Sequence, residues 1–358
     1  MKVLHVINAL SDGGGAEKLM EDLLPAIKQK GVDVSVAVLM DLDSKNTQHI
    51  KDAGIEIIPI GSGKRLYSIP KMLKLIKVMR RFDIVHSHLT QPFLMCAFDS
   101  LFCKVKIVHT IHNTDSRMRH IFPLKYLEKW ALNRYQTIVA CSKEAEFFLR
   151  EFLGKTNKDI LTINNGIKLD KFITASPYTL RKNSHEKIIT MVAIFRPQKN
   201  HEALIRTTKL LPNNYNTYFI GYGPLIEKME NLSKELGVGN RVHFLGKRTD
   251  VPQLLKASDF VVLSSHYEGL SLSSIEGMAA GKPFIASDVP GLREIVKGYG
   301  LLFEDGNAQQ LADIILRLSE NEQEYQQVAN RCSQRANDFN IETTASEYVN
   351  VYNKLMEA

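Results

Sequence analysis

The sequence predicts an α/β protein made of two doubly wound parallel-sheet domains that face each other across a cleft. Three observations carry this expectation. Short β-branched runs alternate with amphipathic helical runs along nearly the whole chain, as in parallel strands joined by helical crossovers. The alternation stops once, in a polar stretch without periodicity, and then restarts. Finally, 358 residues exceed what one ordinary core encloses.

In chain order, the first strand candidates are "KVLHVI", "VDVSVAVLM", "IEIIPI", "DIVHSH", "KIVHTIH", "TIVAC" and "DILTI". Helical patterns separate most of them: "AEKLMEDLLPAIKQK", "IPKMLKLIKVMRRF", "KYLEKWALNRY" and "KEAEFFLREFL". "PFLMCAFDSLFC" is too short for a membrane span and contains Asp99, so it reads as a buried helix. The polar stretch "ITASPYTLRKNSHEK" reads as a linker, set at residues 174–185 between domains 1–173 and 186–340. Beyond it follow "KIITMVAIF", "HEALIRTTKLL", "YNTYFIG", "PLIEKMENLSKEL", "RVHFLG", "VPQLLKAS" and "DFVVLSS", again strand and helix in turn. The last stretch, from "EYQQVANRC" to the end, carries helical pattern alone.

Composition narrows the class. Apolar content of 44% and charged content of 24% are those of a soluble globular protein. "MKVLHVINALSDGGG" lacks the uninterrupted apolar stretch of a signal peptide. Cys96, Cys103, Cys141 and Cys332 form no CxxC pair, so reduced thiols in a cytoplasmic protein are expected. The net charge of +7 is uneven: residues 1–175 hold 26 Lys+Arg against 18 Asp+Glu, the remainder 20 against 21. The basic half therefore suits an anionic partner such as a membrane surface, nucleic acid or a phosphorylated substrate. Nucleic acid is disfavoured, because no aromatic platform or reading motif is interleaved with the charge.

Ligands in doubly wound sheets bind beyond the carboxyl ends of the strands, and the unusual residues sit in those loops. "SDGGGAEK", with Gly14, Gly15 and Glu17, follows the first strand and opens a helix. It suits a closely approaching ligand, or a plain tight turn. His86 and His88 share one strand face, and His109 and His112 follow on the next strand. A His-x-His metal site is the alternative to core-edge residues there, but no carboxylate lies beside them. His112, past its strand end, is the candidate for chemistry. Asp41–Asp43 form a DxD pair that reads equally as an acidic turn. "AIFRPQKNH" offers Arg196 and Lys199, two cations suited to a diphosphate or to a solvated loop. Gly221 and Gly223 in "IGYGP", and Lys247 in "LGKRTDV", occupy equivalent turns. The most informative stretch is "HYEGLSLSSIEGMAA". Glu268 precedes the helix and Glu276 lies one to two turns into it, among glycines and serines that a stable helix would not choose. The Gly269–Leu272 amides at a helix start suit phosphate oxygens, and the two carboxylates suit sugar hydroxyls.

With these residues assembled, the chain resembles a retaining glycosyltransferase of family 4 with the GT-B fold of two Rossmann-like domains, over nearly all of its length. The element from Glu268 to Glu276, followed by "GMAAGKPFIASDVPGLREIV", is its most specific part. The resemblance implies a nucleotide-sugar donor (a UDP- or GDP-sugar) on the second domain, an acceptor on the first, and no metal or further cofactor. It implies that Glu276 binds ribose and Glu268 the transferred sugar. Lys199 with the amides of Gly269, Leu270, Ser271 and Leu272 would hold the diphosphate, while the glycine loop and His112 would line the reaction centre. The last helix, about 341–358, would return to the first domain. Two positions depart from the family pattern. Ile194 stands where the family usually has Arg, with Arg196 as a substitute, and Gly269-Leu270-Ser271 replaces Gly-Phe-Gly.

The chemistry needs stabilisation of a departing diphosphate, and no carboxylate pair is spaced as in a retaining hydrolase. The resemblance implies front-face attack assisted by the leaving phosphate. "IPKMLKLIKVMRRF", with Lys71, Lys74, Lys77, Arg80 and Arg81, reads as a basic helix on an anionic inner leaflet or as a core-docked helix with solvated lysines. The expected acceptor is then a saccharide, carried on a lipid, for a surface polysaccharide. Rival readings are a nucleotide-sugar epimerase of the same fold and a non-catalytic sugar-nucleotide-binding subunit.

Overall fold

Two parallel sheets, one in each half of the chain, organise the protein. The computed structural model describes residues 1–10, 14–40, 45–61, 68–112, 116–181 and 183–357, with the backbone alone for residues 45, 46 and 117. Residues 1–166 together with 341–358 form one compact unit, and residues 167–340 form the other.

The first unit contains β1 (Lys2–Ile7), β2 (Asp33–Val38), β3 (Glu56–Pro59), β4 (Ile84–His88), β5 (Lys106–Ile111), β6 (Thr137–Ala140) and β7 (Asp159–Thr162). They pair in parallel in the order β3-β2-β1-β4-β5-β6-β7. The inner strands are short and strongly buried because helices cover both faces, while the edge strands β3 and β7 are only partly so. The helix Gly15–Gln29 buries Leu19, Met20, Leu23, Leu24 and Ile27, one stripe at helical spacing. Ser142 caps the helix Lys143–Leu153 by accepting from the Ala145 amide at 3.1 Å. The final helix, Ile341–Glu357, belongs to this unit and buries Tyr348 and Tyr352, one turn apart.

The second unit contains β8 (Lys187–Val192), β9 (Tyr215–Ile220), β10 (Val242–Phe244), β11 (Phe260–Leu263), β12 (Phe284–Ser287) and β13 (Leu301–Phe303). Their order is β10-β9-β8-β11-β12-β13, again parallel. β12 and β13, of four and three residues, were not among the strand candidates. In each sheet the order reverses at a switch point, between β1 and β4 and between β8 and β11. Such points leave a crevice beyond the carboxyl ends where ligands bind.

The chain crosses between units at residues 166 and 167, not in the 174–185 stretch. The Ile167 amide bonds to the Phe339 carbonyl at 2.9 Å, and Leu169 and Phe172 join the second core. The expected linker is itself attached to the second unit: the Tyr178 amide bonds to the Gln253 carbonyl at 3.0 Å, and Arg181 pairs with Asp259. Its polarity reflects a surface path, which leaves no periodic signal.

Candidate functional site

In the second unit, parallel strands place the loops after β10, β9, β8 and β11 side by side at one edge. Lys199 follows β8 and Glu268 follows β11, one on each side of the switch point. Their side chains form an ion pair and are only 14% and 7% exposed. Ser265 Oγ donates to the same Glu268 oxygen at 2.5 Å. The Glu268 backbone is held from the other side, its amide on the Pro290 carbonyl at 3.3 Å. Gly291 is obligatory there: its φ is +86°, and a Cβ would stand 2.1 Å from the Glu268 carbonyl oxygen.

The helix Leu272–Ala279 begins just past Glu268, and the Ser271 hydroxyl caps none of its amides. Its first turn carries no acid, so this positive end is suited to an anion. Glu276 lies on this helix and is 1% exposed. Ser271 is buried, while Gly269, Leu270 and Leu272 are partly exposed. Arg196 is exposed on the β8 loop and takes part in no ion pair among the described residues. Lys247 is exposed after β10, its ammonium 5.9 Å from the centre of the Tyr222 ring.

Gly221 and Gly223 have a different local reason from ligand approach. A Cβ on Gly221 would lie 1.9 Å from the Ala193 carbonyl oxygen, and one on Gly223 2.5 Å from that of Phe195. These glycines let the β9 loop pack against the β8 loop that carries Arg196 and Lys199.

In the first unit, register builds the site. His5 of β1 pairs with His86 of β4, and His88 with Thr110 of β5. Residues two apart share a face, so His5, His86, His88, Thr110 and His112 line one face of the sheet. His109 is on the other, its Nδ1 3.0 Å from Ser87 Oγ. Burial depresses these imidazoles: His112 to about 4, His5 and His109 to about 3, and His86 and His88 well below the usual value. His112 ends the row, its Nε2 3.0 Å from His88 Nδ1. Its own Nδ1 is buried without a partner among the described residues, an orphan of the kind a ligand satisfies. Nitrogens of His5, His86 and His88 lie within 4.8 Å of one another. Each of those nitrogens is already hydrogen-bonded, so a cation would have to break that set.

Gly14 caps the helix Gly15–Gln29. A Cβ there would meet the Glu17 carboxylate at 1.9 Å, whereas one on Gly15 would meet nothing within 4 Å. With Glu17 already at the helix start, this loop suits sugar hydroxyls better than a phosphate. Ser11–Gly13 and Asp41–Asp43 lie outside the described residues.

The basic helix Ile69–Met79 departs from both sequence readings in one respect. Lys71 is buried, and its ammonium donates to the Leu39 carbonyl at 2.9 Å. Lys74 and Lys77 are exposed beside Ile69 and Leu73, which are 73% and 63% exposed. No helix among the described residues is long and apolar enough to cross a membrane.

Sequence reasoning missed Ser265, Tyr348, Tyr352, and Leu89, whose φ of +67° is unusual for a bulky residue and directly follows His88. The four-residue spacing of the two tyrosines was visible, but not what they face.

Two doubly wound parallel-sheet units, with polar residues gathered at the carboxyl edges, define the architecture of the GT-B glycosyltransferases. Residues 13–171 match the family model described as Glycosyltransferase Family 4, and residues 173–338 that described as Glycosyl transferases group 1. The chain is a glycosyltransferase of family 4. It is 28% identical over 301 residues to N-acetyl-alpha-D-glucosaminyl L-malate synthase of Bacillus anthracis, covering 80% of this chain and 79% of that one. It is 27% identical over 311 residues to UDP-Gal:alpha-D-GlcNAc-diphosphoundecaprenol alpha-1,3-galactosyltransferase of Escherichia coli, covering 81% and 79%. The fold matches that of Anabaena HepE in complex with UDP-glucose, with a TM-score of 0.85, 21% identity, and 99% and 100% of the two chains covered.

Proposed function

We propose that this protein transfers a hexosyl group from a nucleoside-diphosphate sugar, a UDP- or GDP-sugar, to a lipid-carried saccharide. The transfer retains anomeric configuration and serves synthesis of a surface polysaccharide such as a capsule, O-antigen or exopolysaccharide. The observation that carries the reading is the Lys199–Glu268 pair at the β8/β11 switch point, beside the uncapped start of the helix Leu272–Ala279.

In this reading, charge develops on the diphosphate as the anomeric C–O bond breaks. Lys199, Arg196 and Lys247 answer it, together with the backbone amides of Gly269–Leu272. Glu276 accepts the ribose hydroxyls, and Glu268 a hydroxyl of the transferred sugar. Gly221 and Gly223 set the loop that carries the cations. Because the cations and amides supply the positive charge, the reaction proceeds without a metal. The acceptor hydroxyl attacks from the face the diphosphate leaves, and the departing phosphate takes its proton. His112 and the loop of Gly14, Gly15 and Glu17 serve the sugar and the acceptor. The name of the E. coli relative, with its diphosphoundecaprenol acceptor, supports a lipid-linked acceptor. Lys74 and Lys77 beside the exposed Ile69 and Leu73 support attachment to an anionic membrane from the cytoplasmic side.

Thermal-shift screening against UDP-, GDP- and ADP-sugars tests the donor, since a ligand bound only by the native state raises the melting temperature. The expected result is a shift with one nucleotide class, lost in Lys199→Ala, and label transfer from that donor to a lipid-extractable product. No shift with any nucleotide sugar, in a protein that melts cooperatively, would overturn the reading.

A further inference from the structure

Inside the first unit a single hydrogen-bonded chain runs from His112 to the last helix. His112 Nε2 lies 3.0 Å from His88 Nδ1, and His88 Nε2 lies 2.9 Å from His5 Nδ1. His5 Nε2 is 3.3 Å from the Tyr352 hydroxyl, which is 2.6 Å from His86 Nδ1. His86 Nε2 is 2.7 Å from Thr110 Oγ1, and that oxygen is 3.0 Å from the Tyr348 hydroxyl. His5, His86, His88, Thr110, Tyr348 and Tyr352 are all fully removed from water.

With a proton in every link, such a chain has four arrangements, because a hydroxyl oxygen can accept from both of its neighbours. A neutral imidazole donates from one nitrogen and accepts at the other, and each hydroxyl donates once. Burial depresses the pKa values of these rings and keeps them neutral. In one arrangement the protons point from Tyr348 toward His112. Tyr348 donates to Thr110, Thr110 to His86, His86 to Tyr352, Tyr352 to His5, His5 to His88, and His88 to His112 Nε2. One group is left over, the Nδ1–H of His112. In each of the other three the surplus proton lies on a hydroxyl, that of Tyr348, Thr110 or Tyr352, and two groups are left over, that O–H and the bare His112 Nδ1. None of these three hydroxyls has another hydrogen-bond partner among the described residues, and an unpaired buried donor carries its full desolvation penalty. The first arrangement therefore prevails.

We propose that Thr110 and Tyr352 are positioning residues that hold His112 as its Nδ1–H tautomer, so that it gives a hydrogen bond to a substrate oxygen and does not take a proton. The effect on transfer rests on the glycosyltransferase reading above, with His112 beside the reacting sugar. The tautomer itself does not.

The test uses the full-length protein carrying ring-15N histidine, with His112 assigned by loss of its signal in His112→Asn. Long-range 1H–15N correlation is expected to show His112 protonated at Nδ1 and not titrating between about pH 8 and pH 6. Tyr348→Phe leaves the Thr110 hydroxyl as the chain end and should keep the Nδ1–H form, whereas Tyr352→Phe removes the oxygen joining His86 to His5 and is expected to turn His112 into a mixture of tautomers. Tyr352→Phe should lower kcat about five- to twentyfold, with KM for the donor within about twofold. Thr110→Val should do the same, and Thr110→Ser should restore both readouts, which a purely structural role would not require. An Nε2–H His112 in the parent protein, or an unchanged tautomer in both Tyr352→Phe and Thr110→Val, would overturn the proposal. The tautomer readout needs no substrate. A parent protein inactive with every nucleotide sugar would therefore count against the transfer reading alone.

Discussion

Lys199 and Glu268 close an ion pair across the point where the strand order of the second sheet reverses, and Ser265 donates to the same carboxylate oxygen. Both side chains are largely out of water, so removing one strands the other's charge. Lys199→Ala is expected to lower the unfolding free energy by about 2 kcal/mol. Glu268→Gln should cost less, since its amide oxygen still accepts from Ser265. The double alanine variant should regain part of the loss. Urea denaturation of the four proteins checks this, and a Lys199→Ala variant as stable as the parent would show the pair to be incidental.

Gly15 and Gly291 should respond in opposite ways. Gly15 opens a helix, and an added Cβ meets nothing. Gly15→Ala should therefore leave stability unchanged or raise it by up to about 1 kcal/mol, while lowering transfer about tenfold or more if a substrate fills that space. Gly291→Ala forces a side chain onto the Glu268 carbonyl at positive φ. It should cost about 2 kcal/mol or more and weaken donor binding together with stability. Melting curves with and without donor separate the two cases.

Acid should destabilise the first unit before its carboxylates titrate. His5 and His109 sit near 3 in the folded chain against 6.5 for the free side chain, and His86 and His88 are depressed in the same direction. Between the two values the unfolded chain binds more protons, so unfolding free energy falls as pH falls. Each such histidine contributes about 1.4 kcal/mol per pH unit. The slope of stability against pH between 6.5 and 5 should therefore report uptake of more than one proton. A flat profile over that window would contradict the burial of these rings.

The lysines of the helix Ile69–Met79 should separate by role. Lys71→Ala removes the bond to the Leu39 carbonyl and should lower the melting temperature without changing vesicle binding. Lys74→Ala/Lys77→Ala should leave melting unchanged and weaken sedimentation with anionic vesicles at low salt, at about 1 kcal/mol per lysine. Equal vesicle binding by the parent and the double variant would remove the membrane role.

Much of the architecture was legible in the sequence because it is written in local periods. β-branched runs such as "KVLHVI" became β1, and the stripe of Leu19, Leu23 and Ile27 became a buried helix face. The strands "FIAS" and "LLF" were missed, although equally short ones such as β10 were read. The candidate donor residues were legible for a related reason. Glycines, serines and carboxylates at Glu268–Glu276 contradict helix propensity, and conflicts of that kind collect at functional sites.

By itself the sequence determined the fold class, the position of most elements and the loops that carry charge, because each depends on neighbours a few residues away. Tertiary structure alone decided the partnerships. Lys199 meets Glu268 across 69 residues, and Tyr352 meets His5 across 347. Lys71 turns inward, and Gly221 is filled by the Ala193 backbone. These follow from strand order and register. Those depend on which surfaces bury together when the whole chain closes, and no window of the sequence contains them.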